Sequence, residues 1–144
     1  MQVHQILRSK PAAQVVTVLS GSSVADAARL LSERRIGAVI VSDDGFSPLG
    51  ILSERDIVRD IGRRGAVCLK DTVDTLMTRN LISCEPHDNA DLVLEKMTAG
   101  RFRHMPVLQD GKMIGIISIG DVVAARMAEL AMEKDALAGM IMGN

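Results

Sequence analysis

Two short segments of the chain carry the same pattern of residues that can contact a ligand. Gly50–Asp56 reads GILSERD, and Gly115–Asp121 reads GIISIGD. In each segment a serine is followed three positions later by an aspartate. At a helix start this pair forms a capping box, in which the two side chains satisfy free backbone N–H groups. The same groups can serve a ligand, because the hydroxyl can donate to a phosphate and the carboxylate can accept hydrogen bonds from ribose hydroxyls.

The setting of the doubled pattern favours an anion. Gly50 and Gly115 leave room beside a strand for another backbone to approach closely. A strand that runs into a helix N-terminus presents N–H groups and the positive end of the helix dipole, and both stabilise negative charge. The pattern therefore favours a nucleotide-sized ligand, with simple helix capping as the alternative interpretation.

The elements that must position these motifs are also written twice. Val15–Gly45 aligns with Leu81–Gly111 at a constant offset, and one extra residue near Ser47–Pro48 brings the two motifs into register. Each copy is predicted to form a strand, a helix, two strands and a final helix. The predicted strands are Val15–Val18, Ala38–Ser42 and Leu49–Leu52 in the first copy, and Leu81–Cys84, His104–Leu108 and Met113–Ile117 in the second.

Helical spacing supports the first helix of each copy. Ser23 is the predicted N-cap in the first copy, and Asn89 or Asp88 is the predicted N-cap in the second. The apolar residues then recur at helical spacing: Val24, Ala27, Ala28 and Leu31, and correspondingly Ala90, Val93, Leu94 and Met97. The final helices are predicted to begin near Ser53 or Asp56, and near Ser118 or Asp121.

Three further segments are predicted to be helical. TVDTLM, within the connection Gly62–Asn80, and VHQIL (Val3–Leu7) each predict a short helix. A longer helix is predicted from Asp121 to Met142. Its apolar stripe of Met127, Leu130, Leu137 and Ile141 is interrupted by Lys134 and is typical of a packing or dimer surface.

Composition excludes several classes of function. The net charge of −1 argues against non-specific attraction to nucleic acid or anionic membranes, and the absence of Trp and Tyr argues against base stacking on aromatic rings. No apolar run approaches the roughly 20 residues that span a bilayer, and MQVHQILRSK lacks a signal-peptide apolar region. We therefore expect a cytoplasmic protein with no nucleic-acid or membrane partner. Cys68 and Cys84 are expected to be reduced core fillers.

The doubled unit resembles the cystathionine-β-synthase (CBS) domain, and two units in tandem resemble a Bateman module. Both copies match the family pattern Gly-hydrophobic-hydrophobic-Ser/Thr-x-x-Asp, and Arg101–Asp121 is similar to stand-alone bacterial members. The resemblance covers about Val3 to Met127. It implies an α/β (α+β) fold in which the two motifs pack about a pseudo-twofold axis. We expect a first CBS motif with its N-terminal segment at 1–64, a linker at 65–80, a second motif at 81–128 and a helical tail at 129–144.

The resemblance also implies a binding site for an adenine nucleotide in the cleft between the two motifs. It implies that Asp56 with Ser53, and Asp121 with Ser118, contact the ribose and phosphate. Arg55, Arg103 and His104 are the candidates for phosphate contact, with Arg55 replaced by Gly120 in the second copy. The adenine would lie between aliphatic side chains near the first and second strands: Thr17, Val18, Ile36, Gly37, Ala38, Ser83, Cys84, Met105 and Pro106.

The resulting hypothesis is a non-catalytic regulatory module that senses energy or metabolic state. AMP is the first choice of ligand, with ADP, ATP, NAD or S-adenosylmethionine as the others. A homodimer is expected, with an unidentified target protein as a further partner. No catalytic constellation, metal site or catalytic cofactor is predicted. The alternatives are a ligand-free structural dimerisation module and, less favoured, an enzyme that acts on nucleotides.

Overall fold

The computed structural model describes residues 1–10 and 15–141 and shows a mixed helix-and-strand fold. It contains six α-helices and five strands in these residues, together with a 3₁₀ helix at Gly65–Lys70. The helices are α1 (Val3–Ser9), α2 (Val24–Arg34), α3 (Glu54–Arg64), α4 (Val73–Leu76), α5 (Ala90–Gly100) and α6 (Ile119–Ile141). The strands are β1 (Thr17–Val18), β2 (Ala38–Val41), β3 (Gly50–Ser53), β4 (His104–Gln109) and β5 (Lys112–Ser118). The predicted α+β fold and the predicted order of elements in the first copy are confirmed.

The first copy forms a three-stranded sheet covered by helices. β1 pairs in parallel with β2, and β2 pairs antiparallel with β3. Ser23 caps α2 as predicted, since its side chain accepts a hydrogen bond from Asp26 N at 3.0 Å. The core of this copy consists of Val24, Ala27, Leu31, Val39, Val41, Leu52, Ile57, Val73 and Met77.

The second copy repeats this plan with one strand fewer. β4 and β5 pair antiparallel, and Asn89 caps α5 by accepting from Asp91 N at 2.7 Å. The predicted strand Leu81–Cys84 is wrong, because only Cys84 forms a bridge, to Val107. In the first copy Ile40 N donates to Val16 O at 3.1 Å. Pro106 stands at the position of Ile40 and has no N–H, so the matching bond cannot form.

The two copies exchange the short helices that precede them. α1 precedes the first copy but packs on the second, where Val3 N donates to Asp88 O at 3.0 Å. α4 precedes the second copy but packs on the first, where Val73 N donates to Ser22 O at 2.8 Å. This reciprocal exchange is what a pseudo-twofold relation between the copies requires. The predicted boundaries at 64/65, 80/81 and 128/129 remain a prediction. α1 and α4 each contact the copy on the other side of the linker. α6 continues across 128/129 without a break.

The motif glycines make this exchange sterically feasible. A Cβ at Gly50 would lie 2.5 Å from Met77 Sδ and 3.0 Å from Thr78 O, beside α4. A Cβ at Gly115 would lie 2.9 Å from Leu7 Cδ2, in α1. At Gly50 a side chain would have to displace Met77 and the main-chain carbonyl of Thr78, whereas at Gly115 it would displace the end of the Leu7 side chain. The close backbone approach predicted for both glycines is present at Gly50, where the main chain of Thr78 approaches, whereas at Gly115 the approach is made by the side chain of Leu7.

The helix α6 extends well beyond the second copy. Its 23 residues span about 35 Å. The predicted apolar stripe is strongly exposed, with Met127 at 65% and Ile141 at 84% relative exposure. The last residue of the predicted helix, Met142, lies outside the described residues. Within residues 1–10 and 15–141, no helix combines the length and the apolar character needed to cross a membrane.

Both cysteines are buried in the apolar interior, as predicted. Cys68 and Cys84 are free thiols with 0% and 2% exposure. Burial raises the pKa of the Cys84 thiol to about 12, with a smaller contribution from the nearby charge of Asp88. A thiol with so high a pKa stays protonated and unreactive at neutral pH. The cysteines therefore act as small core residues.

Candidate functional site

A cavity of about 610 Å³ lies between the two copies. The first copy contributes the end of β3 and the start of α3, and the second contributes the turn after α5 and the start of α6. Its volume is within the range of sites that bind small molecules. Its lining residues are Gly37, Ile51, Ser53, Glu54, Arg55, Asp56, Arg59, Thr78, Asn80, Leu81, Ile82, Gly100, Arg101, Phe102, Arg103, His104, Ser118, Ile119 and Gly120.

The first Ser-x-x-Asp motif forms a capping box at the cavity wall. Asp56 Oδ2 accepts hydrogen bonds from Ser53 N at 3.0 Å and from Ser53 Oγ at 2.9 Å. Asp56 N donates in return to Ser53 Oγ at 3.2 Å. The second carboxylate oxygen, Oδ1, has Arg59 Nη1 at 3.7 Å. The capping interpretation of this motif is therefore correct. The cap uses Oδ2, so Oδ1 retains acceptor capacity for a ligand.

Four arginines line the same cavity as this carboxylate. Arg55 and Arg59 extend from α3, whereas Arg101 and Arg103 flank the turn that follows α5. Arg59 is the one of the four that forms an ion pair within the part of the chain that the structure describes. The carboxylates at the cavity are Glu54 and Asp56, so the arginines outnumber them. The cavity is therefore electropositive and suited to a phosphate or another small anion.

The turn after α5 places Arg103 at the cavity. Arg101 is the C-cap of α5 and has a left-handed backbone conformation with φ 57°. Phe102 N donates to Met97 O at 3.1 Å, which closes the helix end. Arg103 O then accepts from Ile119 N at 2.8 Å, so its backbone is held against the start of α6. The arginine is therefore presented by a fixed turn.

His104 lies where the two copies meet. A Cβ at Gly37 would lie 3.1 Å from both Cε1 and Nε2 of His104, so the glycine makes room for the imidazole. Burial lowers the pKa of His104 below its ordinary value; the charges of Asp121 and Glu54 oppose this shift, and those of Lys10 and Arg103 add to it. A neutral imidazole at pH 7 can donate one hydrogen bond and accept another.

The second Ser-x-x-Asp motif also forms a capping box, but its carboxylate has an additional partner. Asp121 Oδ2 accepts from Ser118 N at 2.8 Å, and Asp121 N donates to Ser118 Oγ at 3.0 Å. Lys10 Nζ lies 2.8 Å from the same Oδ2. Burial raises the pKa of Asp121, but the bonds from Lys10 and Ser118 outweigh it, so the pKa lies below its ordinary value. Ser118 lines the cavity, whereas Asp121 is not among the lining residues.

The predicted site residues fall into two groups. Those that line the cavity are Gly37, Ser53, Arg55, Asp56, Arg103, His104 and Ser118. Those that do not line it are Thr17, Val18, Ile36, Ala38, Ser83, Cys84, Met105, Pro106 and Asp121. Among the second group, Met105 is fully buried and packs in the core of the second copy. Contact of any of these residues with adenine remains a prediction.

Several residues of the cavity were not predicted as site residues. Arg59 follows Arg55 by four positions on α3, and residues four apart lie on the same face of a helix. The sequence therefore contained a signal that Arg59 lies beside Arg55. Arg101 is the C-cap of α5, where a cation also complements the negative end of the helix dipole. Asn80 reaches the cavity because α4 packs on the first copy, and Lys10 reaches Asp121 because α1 packs on the second. These exchanged contacts have no signal in a single sequence.

Within residues 1–10 and 15–141, no three His, Cys, Asp or Glu side chains lie close enough to one another to hold a metal ion.

The chain belongs to the CBS domain family, whose model matches residues 3–63 and 73–128. The mitochondrial CBSX3 of Arabidopsis thaliana is 35% identical over 84% of this chain and 61% of its own length. CBSCBSPB2 of the same plant is 32% identical over 87% of this chain. This chain spans 24% of the length of CBSCBSPB2, so it corresponds to a part of that larger protein.

Solved structures show the same fold. ATU1752 from Agrobacterium tumefaciens, a CBS-domain containing protein, is 44% identical with a TM-score of 0.83, covering 88% of this chain and 99% of that one. The CBS domain pair of MJ0100, solved with 5-methylthioadenosine and S-adenosylmethionine, is 26% identical with a TM-score of 0.77, covering 90% and 98%. A hexameric CBS-CP12 protein from bloom-forming cyanobacteria is 27% identical with a TM-score of 0.73, covering 85% and 69%.

Proposed function

We propose that this chain is a non-catalytic regulatory module that binds a phosphate-bearing adenine nucleotide in the cavity between its two CBS motifs. AMP is the preferred candidate; ADP, ATP and NAD carry the same adenosine and phosphate groups. The observation that carries the proposal is that Asp56 and four arginines line one cavity formed by both copies. A change of ligand can then alter how the two copies pack.

The charges of the cavity support a phosphate-bearing ligand. Within the described residues, Arg55, Arg101 and Arg103 form no ion pair. An anion can therefore bind their guanidinium groups without breaking an existing ion pair. Arginine binds phosphate through two parallel hydrogen bonds. S-adenosylmethionine carries a positive sulfonium in place of a phosphate, which makes it a poorer match for these arginines. Methylthioadenosine carries no charge at the corresponding position.

The apolar lining supports an adenine base. Ile51, Leu81, Ile82 and Ile119 line the cavity together with Phe102, one of the two aromatic residues in the chain. These side chains can sandwich a flat base, while Asp56 accepts from ribose hydroxyls. MJ0100, which shares the fold, was solved with two adenosine-containing ligands. The shared fold supports the adenosine part of the proposal, and the arginines support the phosphate part.

A melting experiment tests the proposal. An AMP concentration 100 times the dissociation constant stabilises a one-site protein by about 2.7 kcal/mol. For a chain of this size, this corresponds to roughly 5–10 °C in Tm. Adenosine at the same concentration should raise the Tm less, because it lacks the phosphate. Since the chain has no Trp or Tyr, a co-purified nucleotide would dominate the near-ultraviolet spectrum, so ligand carried through purification must be removed first. No shift with AMP, ADP, ATP or NAD at millimolar levels would refute the proposal, whether or not S-adenosylmethionine gave one.

The assembly we propose is a homodimer that uses the exposed face of α6. Met127, Leu130, Leu137 and Ile141 are exposed and recur at intervals of three, four and seven residues along this helix. Apolar residues at such spacing favour packing against another helix. The hexameric CBS-CP12 protein shows that a member of the family assembles into oligomers. We further propose that a target protein reads the ligand-bound state and that the module acts in the cytoplasm.

A ligand-free dimerisation module is the second candidate. Both Ser-x-x-Asp motifs are satisfied by capping bonds without any ligand, and this observation favours it. The same melting series separates the two candidates. A dimer whose Tm no nucleotide changes would support the second candidate.

A further inference from the structure

The exchange of α1 and α4 divides the described residues into two bodies with separate cores. The first body contains β1, α2, β2, β3, α3, the 3₁₀ helix and α4, and the second body contains α1, α5, β4, β5 and α6. Among the described residues, no buried side chain belongs to both hydrophobic cores. Each body can therefore keep its own packing while it moves relative to the other.

One hydrogen bond and no ion pair join the two bodies in the part of the chain that the structure describes. Met113 N, in β5, donates to Phe46 O, in the turn between β2 and β3, at 2.8 Å. Lys112 Nζ lies 5.8 Å from the centre of the Phe46 ring, within the range of a cation–π interaction. We call the contacts of Phe46 with Lys112 and Met113 the Phe46 contact. It lies outside the cavity, since none of its three residues lines that cavity.

The Phe46 contact lies close to the pseudo-twofold axis. Phe46 and Lys112 occupy equivalent positions in the two copies, because each follows the glycine of an Asp-Gly turn. Both glycines, Gly45 and Gly111, have a positive φ, at 83° and 78°. Equivalent residues of a twofold pair can meet only where the axis passes between them. The two bodies can therefore rotate relative to each other with little displacement at this point.

The Phe46 contact and the cavity lie at opposite ends of the strands. β5 carries Met113 near its start and ends at Ser118, which lines the cavity. From Met113 to Ser118 the strand covers about 17 Å, at about 3.3 Å per residue. At the cavity end the bodies meet where His104 lies against Gly37. A rotation about the Phe46 contact therefore changes the width of the cavity far more than the geometry of the contact.

Asp44 fixes the turn that carries Phe46. Its Oδ1 accepts hydrogen bonds from Ser47 N at 2.7 Å, from Phe46 N at 2.8 Å and from Ser42 Oγ at 3.1 Å. The backbone bonds from Ser47 and Phe46 lower the pKa of Asp44 to about 2, so the carboxylate is ionised at neutral pH. The position of Phe46 O, which accepts from the second body, is therefore set by this one carboxylate.

We propose that the Phe46 contact is the pivot about which the two bodies close on a ligand in the cavity. The cavity then widens or narrows by rotation while the contact is kept. This inference rests on the proposed function, because it takes the cavity to be the site of nucleotide binding. It gives the turn between β2 and β3 a role in ligand affinity, although this turn does not line the cavity.

Distances between pairs of spin labels, measured by double electron–electron resonance, test the position of the pivot. The pair near the Phe46 contact is Ser47→Cys with Gln109→Cys. The pair near the cavity is Glu33→Cys with Ala99→Cys, at the ends of α2 and α5. All four residues are exposed, whereas both native cysteines are buried and should stay unlabelled. Saturating AMP should change the distance near the cavity by more than about 2 Å, the scale of a domain rearrangement, and leave the distance near the Phe46 contact unchanged.

Asp44→Ala tests whether the turn influences affinity from outside the cavity. A loosened pivot leaves the two bodies more freedom to lose when they close, so the dissociation constant for AMP should rise roughly 2- to 30-fold, the range of couplings between distant sites. Asp43→Ala is the matched control. The carboxylate of Asp43 accepts from Ser20 N at 3.0 Å and Ser20 Oγ at 2.8 Å, both in the first body. Its removal should leave the calorimetric affinity for AMP unchanged.

Each outcome decides for or against the pivot. AMP binding with no change near the cavity, or with equal changes in both label pairs, would overturn the pivot and leave the proposed function intact. Unchanged affinity in Asp44→Ala, or an equal loss in both aspartate variants, would also overturn it. No AMP binding by the wild type would refute the proposed function together with this inference. If circular dichroism shows that Asp44→Ala is unfolded, the two label pairs decide alone.

Discussion

Replacing Asp56 with alanine should separate the two roles that this carboxylate can have. The substitution removes the acceptor for Ser53 N and Ser53 Oγ, at 3.0 and 2.9 Å, and so removes the reciprocal half of the α3 capping box. A lost cap costs about 0.5–2 kcal/mol of the free energy of unfolding. If the carboxylate also binds ribose, the variant loses a hydrogen bond to a charged group, worth about 1.5–3 kcal/mol. The dissociation constant for AMP should then rise roughly 10- to 100-fold.

The matched control for this prediction is a cap elsewhere in the same copy. Ser23 Oγ accepts from Asp26 N at 3.0 Å at the start of α2, and Ser23 does not line the cavity. Ser23→Ala should therefore lower the free energy of unfolding by a similar amount and leave AMP affinity unchanged. Urea denaturation measures the stability of both variants, and isothermal titration calorimetry measures their affinity. If Asp56→Ala binds AMP as tightly as the wild type, the carboxylate is a cap alone and the argument for ribose recognition fails.

Three further predictions concern assembly, packing and pH. Leu137→Asp on the exposed stripe of α6 should convert the proposed dimer to a monomer of 15.5 kDa in light scattering, while Ala136→Asp should not; a wild-type monomer at micromolar concentration would contradict the assembly. Gly50→Ala should cost about 1–3 kcal/mol of stability, because its Cβ would meet Met77 at 2.5 Å; Gly62→Ala, with no atom within 4 Å, is the control, and equal stability in the two variants would refute the steric argument. Burial lowers the pKa of His104, so the stability that the neutral imidazole contributes is present above the ordinary pKa of 6.5 and is lost as the pH falls from there through the pKa of the folded state. His104→Gln should therefore flatten the dependence of Tm on pH below 6.5. An unchanged dependence would show that His104 is not its source.

The sequence was most informative where local chemistry decides the structure. The N-caps at Ser23 and Asn89 and the helical stripes of α2 and α5 were predicted correctly, because capping and apolar spacing are local signals. The short helices around Val3 and Val73 were also predicted. The strand at Leu81–Cys84 was predicted wrongly. Pro106, a residue distant in sequence, has no N–H and so cannot make the hydrogen bond that Ile40 makes in the first copy.

The candidate site was predicted only in part, for a similar reason. Ser53, Asp56, Arg103 and His104 were identified through the duplicated motif and the family resemblance, and the structure brings all four to one cavity. The partnership of Lys10 with Asp121 was not identified, since it depends on the packing of α1 against the second copy. A single sequence does not show which copy a flanking helix will pack against.

The most direct test of the account is a pair of calorimetric titrations, with AMP and with adenosine, on the wild type and on Arg103→Ala. The account predicts that the wild type binds AMP at least tenfold more tightly than adenosine. It further predicts that Arg103→Ala weakens AMP binding and leaves adenosine binding nearly unchanged, because in the proposed complex the guanidinium contacts only the phosphate. Arg29→Ala, on the exposed face of α2 outside the cavity, should bind both as the wild type does. Equal affinities of the wild type for AMP and adenosine, or the absence of binding to either at millimolar concentration, would contradict the claim that this cavity recognises a phosphate-bearing adenine nucleotide.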